Sequence, residues 1–344
     1  MNNVWEQNCD RTVGSNKQDA TNGSYGMKPL RRQMWDDKCV AQCFSNMLDD
    51  NLLFRVPTEI TKMVFDFIGI SKAVSVASGD NHCLALKIDG TVVGWGCNDD
   101  GKTTIPRDLA GVKQIAVGAY HSLALRHDGT VVAWGRNNFG QTTIPDGLAN
   151  VKAISAGDGH SLALLENGRV VAWGDKRYEQ TSLPEGLENV RAVSAGQTHS
   201  IALKENGEVV AWGRNAVGKA VVPHGLESVT MIAAGSWHSL SLNSDGSVTA
   251  WEINDDGQIL VPSGLGQVKA IAAGRYHSLA LSEDGTVHSW GSNRYGLTDV
   301  PSDLGKVKSI SAGHTFSVAV RYNGSVIAWG DSYFGETSIP KEFQ

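Results

Sequence analysis

Six histidines, His82, His121, His160, His199, His238 and His277, recur 39 residues apart, and Phe316 holds the next place in the series. Imidazole is the commonest metal ligand, so such a series raises the question of a metal centre. Sharing an ion would require equivalent positions to converge on one point, and the Phe316 place brings no compensating thiol or carboxylate. A buried imidazole more simply bonds a neighbouring backbone group through a ring nitrogen. That role is expected here, with no metal and no cofactor. Cys39 and Cys43 lie four apart in QMWDDKCVAQCFSNMLDD, and with no second pair to complete a zinc site they read as buried free thiols on a helix face with Val40, Phe44, Met47 and Leu48. The five cysteines (Cys9, Cys39, Cys43, Cys83, Cys97) form no even framework, which fits a reducing compartment, so a cytoplasmic location is expected. No nucleophile elbow, phosphate-cradling glycine loop or separate carboxylate pair is visible, and an enzyme is not expected.

The histidines belong to a larger frame. Gly79, Gly118, Gly157, Gly196, Gly235, Gly274 and Gly313 keep the same 39-residue step, as do tryptophans from Trp95 to Trp329 and prolines from Pro106 to Pro340, so units fill residues 72–344 without an insertion. Within the second unit, VKQIAVG (112–118), HSLALRH (121–127) and TVVAWG (130–135) read as short strands, and TTIP (142–145) as a candidate outer edge. Asp128-Gly129 and its Asp-Gly or Asn-Gly counterparts read as type I′ hairpin turns. One face of HSLALRH carries His121, Leu123 and Leu125 and the other Ser122 and Ala124, so a bulky face of one unit can meet a small face of the next, with the repeated Trp as a wedge between them. Units that cannot bury both faces alone can do so in a ring. The expected fold is all-β: a seven-bladed β-propeller over 72–344, preceded by a flexible lead (1–28) and a small helical extension (29–71). Closure is expected to pair strands from the two ends of the repeat region.

The frame G-x-x-H-S-L-A-L, then D/N-G, then V-V-A-W-G, resembles the regulator of chromosome condensation repeat, which implies a seven-bladed propeller. The short unit and segments such as GQTTIPDGL and VKAIAAG are also similar to the propeller-type β-lactamase inhibitory proteins. The resemblance to the chromosome-condensation regulator implies, as an alternative function, nucleotide exchange on a Ran-like or related small GTPase; that regulator uses a protruding strand wedge, for which units of constant length leave no room. Residues 56–68, VPTEITKMVFDFI, resemble the opening of an F-box, which implies docking to a ubiquitin-ligase adaptor. As residues alone, Ile60, Met63, Val64, Phe67 and Ile68 mark the apolar stripe of a helical cap.

Antiparallel strands bring the Gly-x-x-His loop and the loop after Trp-Gly to the same rim. These loops vary between units while the frame does not, and they carry Tyr120, Phe139, Arg136, Arg177, Tyr178, Arg214, Trp237, Arg275, Tyr276, Arg294, Tyr295, Tyr333 and Phe334. Aromatic and Arg side chains dominate binding hot spots, so these residues are the candidate partner-binding set. The unit with Glu252-Ile253 after Trp251 departs from the frame. The net charge is −6 with no basic stripe, and no stretch is apolar enough for a membrane span, so neither nucleic acid nor membrane is an expected partner. The expected function is non-enzymatic binding of a protein partner through this rim.

Overall fold

The computed structural model describes residues 72–214, 222–226 and 228–344. The expected lead and helical extension, Cys39 and Cys43, and the F-box-like stretch lie outside the described residues.

β-branched and aromatic residues alternate with small ones along each unit, and each unit forms one three-stranded antiparallel sheet. In the first, β1 (Ala73–Ser78), β2 (His82–Lys87) and β3 (Val92–Gly96) lie in chain order, with Ser78 opposite Cys83 and Cys83 opposite Trp95. Six further sheets repeat this plan at 112–135, 151–174, 190–213, 229–252, 268–291 and 307–330, which gives the seven blades of a propeller. The first strand of every blade shifts register by one residue near its start, between Val112 and Gln114 in blade 2, a bulge that increases local twist.

The turn at each Asp-Gly is not type I′. Gly129 N–H donates to Arg126 O (3.1 Å) and Arg126 N–H to Thr130 O (2.9 Å), and at this turn only Gly129 takes a positive φ (80°). This is a three-residue loop in which a type I turn is followed by a left-handed glycine. Asp128 Oδ1 accepts from Thr130 N–H and Oγ1 (2.9 and 2.7 Å), and that bond fixes Asp128 outside the left-handed region. The TTIP segment adds no outer strand. Its backbone is engaged locally, Thr142 N–H donating to Asn137 Oδ1 (3.0 Å) and Thr143 N–H to Gly140 O (3.0 Å), while Ile144 covers the core between blades 2 and 3.

The core is seven clusters, each lying between two blades. Leu84 and Leu86 of blade 1 pack on Ala124 and Trp134 of blade 2; Leu123 and Leu125 pack on Ala163 and Trp173; the last cluster joins Val318 and Val320 of blade 7 to Ala85 and Trp95 of blade 1. Bulky faces meet small ones all round the ring, with each tryptophan in the seam. Around the axis the frame glycines touch: a Cβ on Gly118 would sit 2.1 Å from Gly157 O, and one on Gly313 would sit 2.9 Å from Gly79 O. No side chain fits there.

Closure differs from the sequence expectation. No sheet combines strands from the two ends; instead blade 7 meets blade 1 face to face, as the other blades meet. Ala73 N–H donates to Gly324 O (3.1 Å), just as Val112 N–H donates to Gly90 O (3.2 Å). The C-terminal turn Lys341–Phe343 completes the junction, with Phe343 buried beside Trp95 and Glu342 paired to Lys87. Every blade is already a complete sheet, so packing alone can seal the ring.

Candidate functional site

The histidines do not converge. Each Nε2 lies 2.8 to 3.0 Å from the hydroxyl of the serine on the next blade: His82 with Ser122, His121 with Ser161, His160 with Ser200, His199 with Ser239, His238 with Ser278 and His277 with Ser317. The expected backbone partner is therefore a side chain, because the small face of the neighbouring blade presents serine at that register. Ser122, Ser161, Ser200 and Ser278 spend their own proton on a loop carbonyl at 2.9 Å, those of Lys102, Gln141, Gln180 and Gln258. Their histidines must donate, which sets the Nε2–H tautomer. Burial pushes His121 and His238 down to about 3 and His160 and His277 down to about 4, and it holds His82 well below the usual histidine range. At the junction of blades 7 and 1 both partners change, to Phe316 and Cys83, which share one apolar cluster. Among the described residues no group of three or more His, Cys, Asp or Glu is placed to hold a metal ion.

The same loop carbonyls accept the indole N–H of the Trp wedge, for example Trp134 to Lys102 O and Trp173 to Gln141 O, both at 2.9 Å. The side chains at this register turn outward into the rim loops. Gln141 Oε1 accepts from Phe139 N–H, Gln180 Oε1 from Tyr178 N–H, and Glu336 Oε2 from Phe334 N–H, each at 2.9 Å. These buried anchors were missed from sequence, although Gln141, Gln180 and Gln258 keep the 39-residue step inside loops that otherwise vary.

Both variable loops do reach one rim: Arg136 N–H donates to Tyr120 O (2.9 Å). On that rim much of the candidate set is organised into cation–ring pairs. Arg136 lies 4.4 Å from the Tyr120 centroid, Arg177 of blade 3 lies 4.2 Å over Phe139 of blade 2, and Arg214 of blade 4 lies 5.0 Å over Tyr178 of blade 3. Arg136 also pairs with Asp100 and Arg177 with Asp175, both at 2.8 Å. Phe139 seats against Gly159, where a Cβ would lie 3.2 Å from its ring, yet it stays 38% exposed. Further round, Arg275 lies 5.1 Å from Tyr276 and 6.0 Å from Trp237, and Tyr276 stacks on His314 at 5.7 Å. Tyr333 and Phe334 meet edge to face at 4.7 Å, with Tyr333 81% exposed. Arg294 and Tyr295 are exposed on the loop of blade 6.

Inside the rim, the seven loops that follow the frame glycines, six of them Gly-x-x-His and one Gly-x-x-Phe, surround an axial mouth of about 70 Å³ whose lining includes Asp80, Asp158, Arg275 and His314. Ligand pockets usually span about 300–1,000 Å³, so the mouth is too small for an organic ligand, and the broad rim is the larger feature.

The sequence model of the Regulator of chromosome condensation (RCC1) repeat matches residues 73–102, 112–141, 151–180, 190–219, 268–297 and 307–336. The chain belongs to the RCC1 repeat family. Blade 5 is the one unit outside those matches, and there Glu252 stands where the other RCC1 repeats of the chain have glycine, with φ 90°. Its carboxylate is buried, accepts from Ser239 Oγ at 3.1 Å and lies 3.8 Å from His199 Nε2. No match to a curated protein sequence was found. Among solved structures, Prp20p of Saccharomyces cerevisiae, described with its binding properties to Gsp1p and histones, shares the fold with a TM-score of 0.62 at 22% identity, over 84% of this chain and 89% of that one. The ectodomain of the receptor kinase CR4 of Physcomitrella patens gives 0.63 at 22% identity, over 76% and 74% of the two chains. The ectodomain of ACR4 of Arabidopsis thaliana gives 0.63 at 20% identity, over 77% and 99%.

Proposed function

We propose that this RCC1-repeat propeller is a non-enzymatic module that binds a protein partner through the Arg and aromatic rim. The observation that carries the reading is the run Tyr120–Arg136, Phe139–Arg177 and Tyr178–Arg214, in which ring and guanidinium alternate across three successive blades. Stacking holds each Arg in one conformation, so less side-chain freedom is lost when a partner docks. The rings offer large rigid contact area at its centre. Affinity capture with the wild type, set beside the Tyr120→Ala, Phe139→Ala, Trp237→Ala and Tyr276→Ala combination and an Asp128→Ala change on the opposite rim, tests it. Partners lost only with the aromatic combination support the reading; equal capture by all three proteins overturns it.

A second reading, nucleotide exchange on a small GTPase, is favoured by the shared fold with Prp20p, whose partner is Gsp1p. Release of a fluorescent nucleotide from a panel of Ran-like and related GTPases, with and without the protein, separates the two: acceleration supports exchange, whereas binding without acceleration leaves the first reading.

A further inference from the structure

We infer that the ring is an acid-labile closure: the blade junctions that hold a neutral histidine donating to the next blade's serine come apart together when the pH falls below the ordinary histidine range. At six of the seven junctions a fully buried imidazole lies within hydrogen-bond distance of that serine.

The geometry shows why a second proton has no place. In four of these junctions the serine proton is committed to a loop carbonyl, so Nε2 is already the protonated nitrogen. The proton would have to go to Nδ1. In His121 and His160, two of these four, that atom faces the frame glycine of its own blade, close enough that a Cβ on Gly118 or Gly157 would lie 2.8 or 2.7 Å from it, with no acceptor there. The charged and titratable groups facing the rings do little to help. His82 faces Lys102 and His121, His121 faces His160, His238 faces His277, and His277 faces His314. Only His160, near Asp175, and His199, near Glu252, have a carboxylate in range.

In the unfolded chain the same histidines protonate near pH 6.5. In His82, His121, His160, His238 and His277 burial lowers the folded pKa, so their contribution is complete above that pH and is lost as the pH falls towards the folded values, about 3 to 4 in the last four. Each of these histidines lowers the folding constant about tenfold per pH unit through this window, and five acting together do so about a hundred-thousand-fold. Carboxylates with lowered pKa, such as Asp175 and Asp284, lose their contribution only near pH 4 and below. The range from about pH 5 to 6.5 therefore isolates the histidines.

The test is equilibrium urea unfolding of the full chain between pH 5 and 7.5, reading protons taken up from the slope of stability against pH. About five protons at pH 5.5 are expected. The protein supplies its own neutral replacement, since the junction of blades 7 and 1 uses Phe316 and Cys83. Transplanting it as His160→Phe with Ser200→Cys, and as His277→Phe with Ser317→Cys, is expected to remove about one proton each. A wild-type uptake of about two protons or fewer overturns the inference, as does an unchanged slope in a folded transplant. If a transplant fails to fold, the wild-type slope decides alone.

Discussion

At the scale of single residues, two kinds of position carry the repeat, and they should respond differently to truncation. Trp173 is buried between blades and donates to Gln141 O, so Trp173→Ala is expected to cost about 3–5 kcal/mol, read as a lower urea midpoint at unchanged slope. Phe139 is seated on Gly159 and under Arg177 but keeps a free face. Phe139→Ala should lower stability by a smaller amount, about 1 kcal/mol, since only one side of the ring is covered; a loss as large as at Trp173 would mark it as a packing element. The tryptophan was legible from sequence because it never varies between units. The partner of the histidine was equally present in the text, as a serine 40 residues on, but a reading confined to one unit looks for it in the backbone. The stacking of Arg on its neighbour's ring was not legible, because spacing within one unit does not say which loop residue of the next blade lies over that ring.

At the scale of elements, strands were legible and their connections less so. Alternation and β-branching placed the three strands of each blade, and the Asp-Gly pairs placed the hairpins. The turn type failed because the pair rule ignores the Thr or Ser that often follows, whose N–H and hydroxyl capture the Asp carboxylate. TTIP was read as an edge from its β-branched residues, while Asn137 Oδ1 takes the Thr142 N–H and Gly140 O the Thr143 N–H that a ladder would need. Loop anchoring gives a prediction at this scale. Gln141 Oε1 holds Phe139 N–H from a fully buried position, so Gln141→Leu should cost about 1–3 kcal/mol for the unsatisfied donor. Hydrogen exchange should quicken at Phe139 while the strand amides of blades 2 and 3 keep their protection; uniform loss across both blades would show that the anchor supports the sheet instead.

For the whole molecule, closure by packing sets what can be removed. Deleting 306–344 exposes the apolar faces of blades 6 and 1 and is expected to abolish cooperative unfolding, whereas a monomeric six-blade fragment with a sharp transition would contradict closure. Removing only 341–344 takes away Phe343, which is 1% exposed and packs with Trp95, and so opens a gap beside that tryptophan. That shorter cut should leave the fold and lower stability by about 3–5 kcal/mol, as for truncating a buried Phe. The number of blades was legible because the units are of constant length; the manner of closure was not, since strand exchange and face-to-face packing share the same repeats.

One consequence of the face-to-face junction concerns chain connectivity. Glu342 pairs with Lys87, and Lys87 stands opposite Ala73 in the first blade, so the two ends of the repeat region lie side by side. No sheet is shared between them, and the junction is sealed by packing as the other six are, with Phe316, Cys83 and Phe343 as its own residues. A circular permutant that joins the C-terminus to Lys72 through a short flexible linker and opens in the loop 146–150, beyond Leu148 that packs on the core between blades 2 and 3, cuts no strand. Such termini on the hairpin side of the ring would keep the Arg and aromatic rim clear of a fused label.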